Sequence, residues 1–324
     1  MPGQCSKTAV IIVTFNASSW IERCIESVLN QHGSVLRIIA VDNCSDDDTL
    51  EKLKPYQEQI TVINSPNNIG FGRANNLGFE KAISWDCDYC FLLNQDAWIK
   101  PQCIARLIEA SLKNPNAGIL SPIHCLFSSE DLHPSFQAYL PKQYQEQLPD
   151  KPFEVEFVQA ALWMIPMPAL LEVGGFDPVF FMYGEDNDFI SRMQKKRYSI
   201  AVVPGAMGHH RKAKGSPSIN RLAARNYWKM VNSLRFSEHS IGFRYATIGI
   251  NTLFMMLKSV CTLKFRRGIS YLLAFRWVTK KFKRIEDSRK SLAISKTPFL
   301  ECEYQLNESA GSGQAAQENH DTRG

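Results

Sequence analysis

The stretch Arg37-Ile38-Ile39-Ala40-Val41-Asp42-Asn43-Cys44-Ser45-Asp46-Asp47-Asp48 decides the fold class. Its unbroken apolar run reads as a buried strand, and the polar run behind it marks the strand's end. Upstream, Ala9-Val10-Ile11-Ile12-Val13 is a run of the same kind, closed by Thr14-Phe15-Asn16. Between the two, Ile21, Cys24, Ile25, Val28 and Leu29 recur at helical spacing, with Ser18 or Ser19 as candidate N-caps. Two strand-helix units with polar residues at the strand ends predict an α/β fold. Its sheet is doubly wound, mostly parallel and flanked by helices, with the ligand at its carboxyl edge. Asp42 and Asn43, directly at a strand end, are read as ligand contacts. Asp46 to Asp48 form a solvated turn, in which Asp47 or Asp48 caps a helix from Thr49.

Moving outward, Thr61-Val62-Ile63-Asn64 is a short third strand leading into Asn67-Asn68-Ile69-Gly70-Phe71-Gly72-Arg73-Ala74-Asn75-Asn76-Leu77-Gly78. Small residues there allow backbone to approach an anion, and Arg73 stands where a guanidinium can clamp a phosphate. Neither a dinucleotide fingerprint nor a Walker loop is present. Tyr89-Cys90-Phe91-Leu92-Leu93 is the fourth strand, with Asn94-Gln95-Asp96 at its end. A carboxylate just beyond a central parallel strand is placed to hold Mg²⁺ or Mn²⁺ on a diphosphate; the alternative is an ordinary turn residue. A helix follows from Pro101 through Cys103, Ile104, Leu107 and Ile108. Residues 121 to 155, with prolines at 122, 134, 141, 149 and 152, read as a long loop over the sheet edge carrying His124 and His133 as surface residues. Apolar packing resumes from Val155 to Met167, with Gln159-Ala160-Ala161 forming a floor.

The chemistry concentrates in Gly174-Gly175-Phe176-Asp177-Pro178-Val179-Phe180-Phe181-Met182-Tyr183-Gly184-Glu185-Asp186-Asn187-Asp188-Phe189. Glycines, a proline and an aromatic run shape a loop, and Glu185, Asp186 and Asp188 arrive where a helix begins, with Phe189, Arg192 and Met193 at helical spacing. Three acids capping a helix is the plain alternative. A rigid aromatic approach favours the other reading, an Asp held to take a proton from a hydroxyl. Tyr198 to Pro204 is a further strand. His209-His210 lies beyond it, either a metal ligand or a surface pair beside Arg211, Lys212 and Lys214.

Length and composition bound the rest. The chain has 324 residues, 44% hydrophobic and 21% charged, enough for one large core plus an appendage. Its first apolar run is too short for a signal peptide or a membrane span, so the cytosol is the expected compartment. Nine scattered cysteines fit a reducing environment. Cys87-Asp88-Tyr89-Cys90 lacks the second pair a zinc site needs. The net charge is +5, yet residues 241 to 290 hold twelve Lys/Arg against Glu286 and Asp287. That segment is therefore near +10 and the remainder near −5.

Together, Val13-Thr14-Phe15-Asn16, Val41-Asp42-Asn43-x-Ser45, Asn68-x-Gly70-Phe71-Gly72-x-x-Asn75-Asn76, Asn94-x-Asp96 and Gly174-Gly175-Phe176-Asp177 to Glu185-Asp186-x-Asp188 resemble the inverting family 2 glycosyltransferases. The likeness runs over roughly residues 7 to 235 and points to the bacterial branch with rhamnosyltransferases and other polysaccharide-building enzymes. It implies a GT-A fold in residues 1 to 236, a nucleotide-sugar donor, and Mg²⁺ or Mn²⁺. A hexose such as rhamnose would pass to a hydroxyl of a growing cell-surface glycan or a lipid-linked acceptor. The donor would contact Thr14, Phe15, Asn16, Asp42, Asn43, Gly70, Arg73, Asn76, Asn94 and Gln95. Asp96 and His210 would hold the metal, and Asp186 would be the catalytic base with Glu185 and Asp188 beside it. Asn94 stands where many relatives carry Asp, and Asn43 where an Asp often reads a uracil ring.

Arg221 to Phe236 reads as a helix, and Arg225-Asn226-Tyr227 matches a family segment. From 237 to 295, aromatic and apolar residues (Phe243, Leu253, Phe254, Leu257, Phe265, Trp277) mix with Arg244, Lys258, Arg266, Arg267 and Arg276. Amphipathic helices of this kind lie on an anionic membrane surface, here the cytoplasmic face of the inner membrane; the alternative is packing on the catalytic body. No nucleic-acid motif accompanies the basic segment, so nucleic acid is not an expected partner. Residues 296 to 324 read as a disordered tail. Two rival functions stay open, a sugar-nucleotide nucleotidyltransferase and a non-catalytic, membrane-associated binding protein of the same fold.

Overall fold

The computed structural model describes residues 6–211, 218–295 and 297–300. In chain order the strands are β1 (Lys7–Thr14), β2 (Val35–Asp42), β3 (Ile60–Asn64), β4 (Tyr89–Leu93), β5 (Ala97–Ile99), β6 (Ala117–Leu126), β7 (Phe153–Glu154), β8 (Leu162–Pro166) and β9 (Ser199–His210). The helices are α1 (Ile21–Leu29), α2 (Thr49–Leu53), α3 (Phe71–Ser84), α4 (Cys103–Lys113), α5 (Pro134–Gln137), α6 (Met167–Val173), α7 (Glu185–Lys195), α8 (Ile219–Arg235), α9 (Ile241–Cys261), α10 (Phe265–Lys280) and α11 (Phe282–Ile294).

The strands form one sheet in the order β3-β2-β1-β4-β8-β6-β9-β5, with β7 pairing to β9. β1 to β4, β6 and β9 run one way, and β5, β7 and β8 run against them. Alternate residues of β1 enter different cores: Ala9 and Ile11 pack with Phe79, Trp163, Phe176 and Phe189, while Val10 and Ile12 pack with Ile25, Val28, Ile104 and Leu107. A strand buried on both faces must be apolar throughout, which is why β1 and β2 read as continuous hydrophobic runs. Helices α1, α2 and α4 cover one face and α3, α6 and α7 the other. The order reverses between β1 and β4, so chain leaving their carboxyl ends diverges and opens a crevice there.

Three local expectations are corrected. Helix α1 starts at Ile21, and neither Ser18 nor Ser19 caps it: Ala17 O accepts from Trp20 N at 2.8 Å and Ile21 N at 3.0 Å, and Ser18 N donates to Asp47 instead. Residues 121 to 155 are not one long loop, because β6 runs to Leu126 with Ser121 to Cys125 buried. Pro122 is tolerated inside that strand because the β6–β9 register shifts between Pro122 and Ile123, where the ladder is already broken. His124 and His133 are accordingly buried and not at the surface.

The C-terminal helices are packed on the body by one side. Val231, Leu234, Ile248, Ala274, Val278 and Ile285 from α8 to α11 form a third core with Val179 and Phe180 of the glycine- and aromatic-rich loop. Much of the outer side of α9 and its turn into α10 is apolar and open, with Ile250, Leu253, Phe254, Leu257, Val260, Leu263 and Phe265 all exposed. No helix among the described residues is long and apolar enough to cross a membrane. Of the tail expected to be disordered, residues 297–300 are placed: Gly175 N donates to Pro298 O at 2.9 Å, and Phe299 and Leu300 are buried. Residues 301 to 324, like Lys212 and Lys214, lie outside the described residues.

Candidate active site

The crevice between β1 and β4 is closed at its base by a reciprocal pair of hydrogen bonds. Phe15 N donates to Gln95 Oε1 at 2.7 Å, and Gln95 Nε2 donates to Phe15 O at 3.1 Å. Asn16 is held with φ of 52°, its side-chain oxygen accepting from Asp46 N at 3.0 Å. Behind them, Thr14 Oγ1 donates to Asp42 Oδ1 at 2.9 Å, and Asp42 also accepts from Ser45 N at 3.0 Å. Asn43 accepts from Ile69 N at 2.8 Å and donates to Asn68 Oδ1 at 3.0 Å. Thr14, Asp42 and Asn43 are buried, so they brace the strand ends, whereas Phe15 and Asn16 are exposed and Gln95, Asp96 and Arg73 partly so.

The glycine- and asparagine-rich loop is corrected on two points. Ile69 N, Gly70 N and Phe71 N are already donated, to Asn43 Oδ1, Asn68 Oδ1 and Phe181 O, so this turn does not offer these groups to an anion. Gly70 is required for another reason: its φ is +90°, and a Cβ there would lie 2.3 Å from Phe181 O. Asn76 is fully buried and locks the loop before α7. Its Oδ1 accepts from Phe176 N at 2.7 Å, and its Nδ2 donates to Phe176 O at 2.8 Å and Phe299 O at 3.3 Å. It does not reach the crevice.

Strand register brings the metal candidates together. Ala97 pairs with His210 across β5 and β9, so Asp96, one residue before, meets the end of β9. Asp96 Oδ1 and His210 Nε2 are 3.3 Å apart, Asn94 Nδ2 is also 3.3 Å from Nε2, and Arg211 N donates to Asp96 O at 3.2 Å. The other ring nitrogen of His210 faces Gln159 Nε2 at 3.3 Å, and the His133 ring lies 5.4 Å away, centroid to centroid. With the Gln159 amide turned over, its oxygen accepts from Nδ1–H and leaves the Nε2 lone pair for a cation. One carboxylate and one imidazole, side by side and partly open, are donors of the kind that would fit Mg²⁺ or Mn²⁺. Among the described residues no group of three or more His, Cys, Asp or Glu offers a complete protein cage. His209 points elsewhere, stacked on Trp98 at 3.7 Å with Nδ1 against Leu126 O.

The three acids of α7 separate by helix geometry. Asp186, Asn187, Ile190, Ser191 and Gln194 share a face that lines a cleft of about 730 Å³, into which His133, Tyr139, Gln159, Tyr183, His210, Arg211, Arg221, Arg225 and Trp228 also project. Burial raises the Asp186 carboxyl above its ordinary value, against hydrogen bonds from Asn187 N and Nδ2 at 2.7 and 2.8 Å. Glu185 lies behind, 6% exposed and pushed up to about 8 by burial and then by the Asp186 charge. Asp188 is corrected: at 0% exposure its Oδ2 accepts from Arg192 Nε at 2.9 Å and its Oδ1 from Arg235 Nη2. Arg235 also pairs with Asp177, and Arg192 donates to Val173 O at 2.7 Å and Gly175 O at 2.8 Å. Asp188 is a structural ion pair joining α7 to α8, because residues two apart on a helix point to nearly opposite sides.

Sequence reading missed His133, Tyr139, Tyr183, Arg221 and Trp228 as cleft residues. Arg221 and Arg225 were assigned to a helix without a site. Their i,i+4 spacing was the available signal; that Tyr183 lies 5.3 Å beneath the Arg221 guanidinium is visible only in the structure.

Comparison with known proteins agrees with this architecture. The profile described as Glycosyl transferase family 2 matches residues 9–173. An N-acetylglucosaminyl-diphospho-decaprenol L-rhamnosyltransferase of Mycobacterium tuberculosis is 24% identical over 245 residues, 66% of this chain and 80% of that protein. Among solved structures, S. aureus TarS 1-349 in complex with UDP-GlcNAc has TM-score 0.56 at 14% identity, over 95% of this chain and 92% of that one. GalNAc-T7 with UDP, GalNAc and Mn²⁺ also gives 0.56, at 15% identity, over 73% of this chain and 53% of that one.

Proposed function

Since this chain belongs to glycosyl transferase family 2, we propose that it is an inverting, metal-dependent hexosyltransferase. It carries rhamnose or a similar hexose from a nucleoside diphosphate to a hydroxyl of a lipid-linked, diphosphate-bearing glycan. The observation that carries the reading is convergence. Asp186, from the first turn of α7, lines the same cleft as His210, and His210 Nε2 is 3.3 Å from Asp96 at the end of β4. Residues ninety positions apart in the chain meet at the topological switch point, where such folds bind ligands.

In the proposed reaction the donor lies along the crevice, its nucleoside against Phe15 and Asn16 and its diphosphate towards Asp96 and Arg73. Asp96 and His210 would hold a divalent cation, which when bound would supply charge neutralisation at the diphosphate. Asp186 accepts the acceptor's hydroxyl proton as that oxygen bonds to the anomeric carbon. The bond to the diphosphate oxygen breaks on the opposite face, the nucleoside diphosphate leaves with the electron pair, and the configuration inverts. Burial raises the Asp186 carboxyl above its ordinary value, which makes it a stronger base than a carboxylate in water. The sugar assignment follows the mycobacterial relative, whose name carries both an L-rhamnosyl activity and a diphospho-lipid acceptor. The outward apolar residues of α9 and the basic C-terminal segment support residence on the cytoplasmic surface of a membrane.

Calorimetry of nucleotide-sugar binding with and without Mn²⁺ tests the core of this reading. Wild-type protein should bind about tenfold or more tightly with the ion, and Asp96→Ala should lose that gain. Equal metal dependence in Asp96→Ala would remove Asp96 from the role.

A further inference from the structure

A second cavity of about 710 Å³ opens beside the catalytic cleft, between α8 and the turn joining α9 to α10. Arg225, Lys229, Lys264, Arg266 and Arg267 line it together with Leu222, Asn226, Leu263, Phe265, Ser270 and Tyr271, and no carboxylate is among them. Helix α8 is the wall between the two spaces. Arg221, Arg225 and Trp228 face the cleft, Leu222, Asn226 and Lys229 face the basic cavity, and Arg225 lines both. At the rim, Leu263 and Phe265 are exposed, and they continue into the open apolar row Leu253, Leu257 and Val260 of α9.

We propose that this cavity is the seat of the acceptor's diphosphate. The polyprenyl chain would run out along the apolar row of α9, and the sugar would pass Arg225 into the cleft to meet Asp186. The inference rests on the glycosyltransferase reading and adds a site to it. Three features fit this ligand and not a general anionic surface. The charge lines an open concave surface between α8 and the α9–α10 turn, where several cations can meet one compact dianion. An apolar track begins at the same rim, which a headgroup alone would not need. The cavity shares Arg225 with the reaction cleft, so a diphosphate held here lies next to the space that Asp186 lines. Arginine forks and lysine point charges together match the oxygens of a diphosphate.

The test is equilibrium binding of the full-length protein, without nucleotide-sugar or metal, to phosphatidylcholine vesicles doped with a polyprenyl diphosphate. Matched vesicles carry phosphatidylglycerol at equal charge. Wild type should bind the polyprenyl diphosphate vesicles about tenfold or more tightly than the phosphatidylglycerol vesicles, and millimolar inorganic diphosphate should compete. Lys264→Ala/Arg267→Ala should lose about 10- to 100-fold of that affinity. The charge-conserving Lys264→Arg/Arg267→Lys should keep most of it, and an unchanged melting temperature in both shows that the fold is intact. Equal binding to the two kinds of vesicle would overturn the proposal in favour of a simple anionic surface. So would wild-type affinity in the alanine variant. Because no donor is present, a failure here leaves metal-dependent donor binding untouched, and the two readings fall separately.

Discussion

The two sides of the cleft are built on different principles. On the crevice side, polar groups at the strand ends satisfy one another: buried Thr14 pairs with Asp42 and buried Asn43 with Ile69 and Asn68, while the partly exposed Gln95 pairs with Phe15. On the other side, helices α7 and α8 project Asp186, Arg221 and Arg225 into open space, and the rigidity comes from beneath, through the buried Asp177-Arg235-Asp188-Arg192 cluster. The contrast shows why the three acids of one helical turn have such different roles. Asp186 lines the cleft, Asp188 is held by two arginines, and Glu185 is buried behind.

That contrast can be broken from the largest effect downward. Asp186→Asn removes the proposed proton acceptor and should lower kcat by about 10²- to 10⁴-fold with little change in donor affinity, read by single-turnover transfer and calorimetry. Equal turnover would take Asp186 out of the reaction. Arg235→Met leaves Asp177 and half of Asp188 buried without a counter-charge. It should cost about 3–5 kcal/mol in a denaturant titration at pH 7, and a loss under 1 kcal/mol would show that the cluster is not what supports the helical side.

Glu185 sharpens the comparison through pH. Its folded carboxyl sits at about 8, above the ordinary value of about 4.3, so the folded state holds a proton that the unfolded chain releases. Stability should therefore fall as pH rises from about 5 to 8, and Glu185→Gln should flatten the melting-temperature profile across that window. A Glu185→Gln profile no flatter than that of the wild type would refute the assignment. The smallest effect belongs to Gln95→Ala, which removes both hydrogen bonds to Phe15 at the crevice base. About 0.5–1.5 kcal/mol should be lost, seen as a roughly 2- to 12-fold rise in donor KM at unchanged kcat.

Much of this was legible in particular residues. The apolar runs of β1, β2 and β4 announce themselves because strands covered on both faces have no polar alternation to hide them. The stretch at 121 to 126 did not, since Pro122 argues against a strand and only the partner's register shift at that point makes it acceptable. His124 and His133 were misjudged for the same reason, as burial depends on what covers a segment. Asn76 and Gly70 belong to a motif whose local composition suggests anion binding, yet both serve the contact with the loop before α7, about a hundred residues further on.

Local chemistry alone settled the strand-helix alternation, the placement of acids at the start of α7 and the concentration of positive charge after residue 240, because each depends on neighbours within a few turns of chain. Which acid faces the cleft, that His210 and not His209 meets Asp96, and that α8 separates a reaction cleft from a basic cavity were decided only by tertiary packing. Those outcomes depend on strand register and on helices converging from distant parts of the chain, and periodicity within one segment carries no information about what lies opposite it.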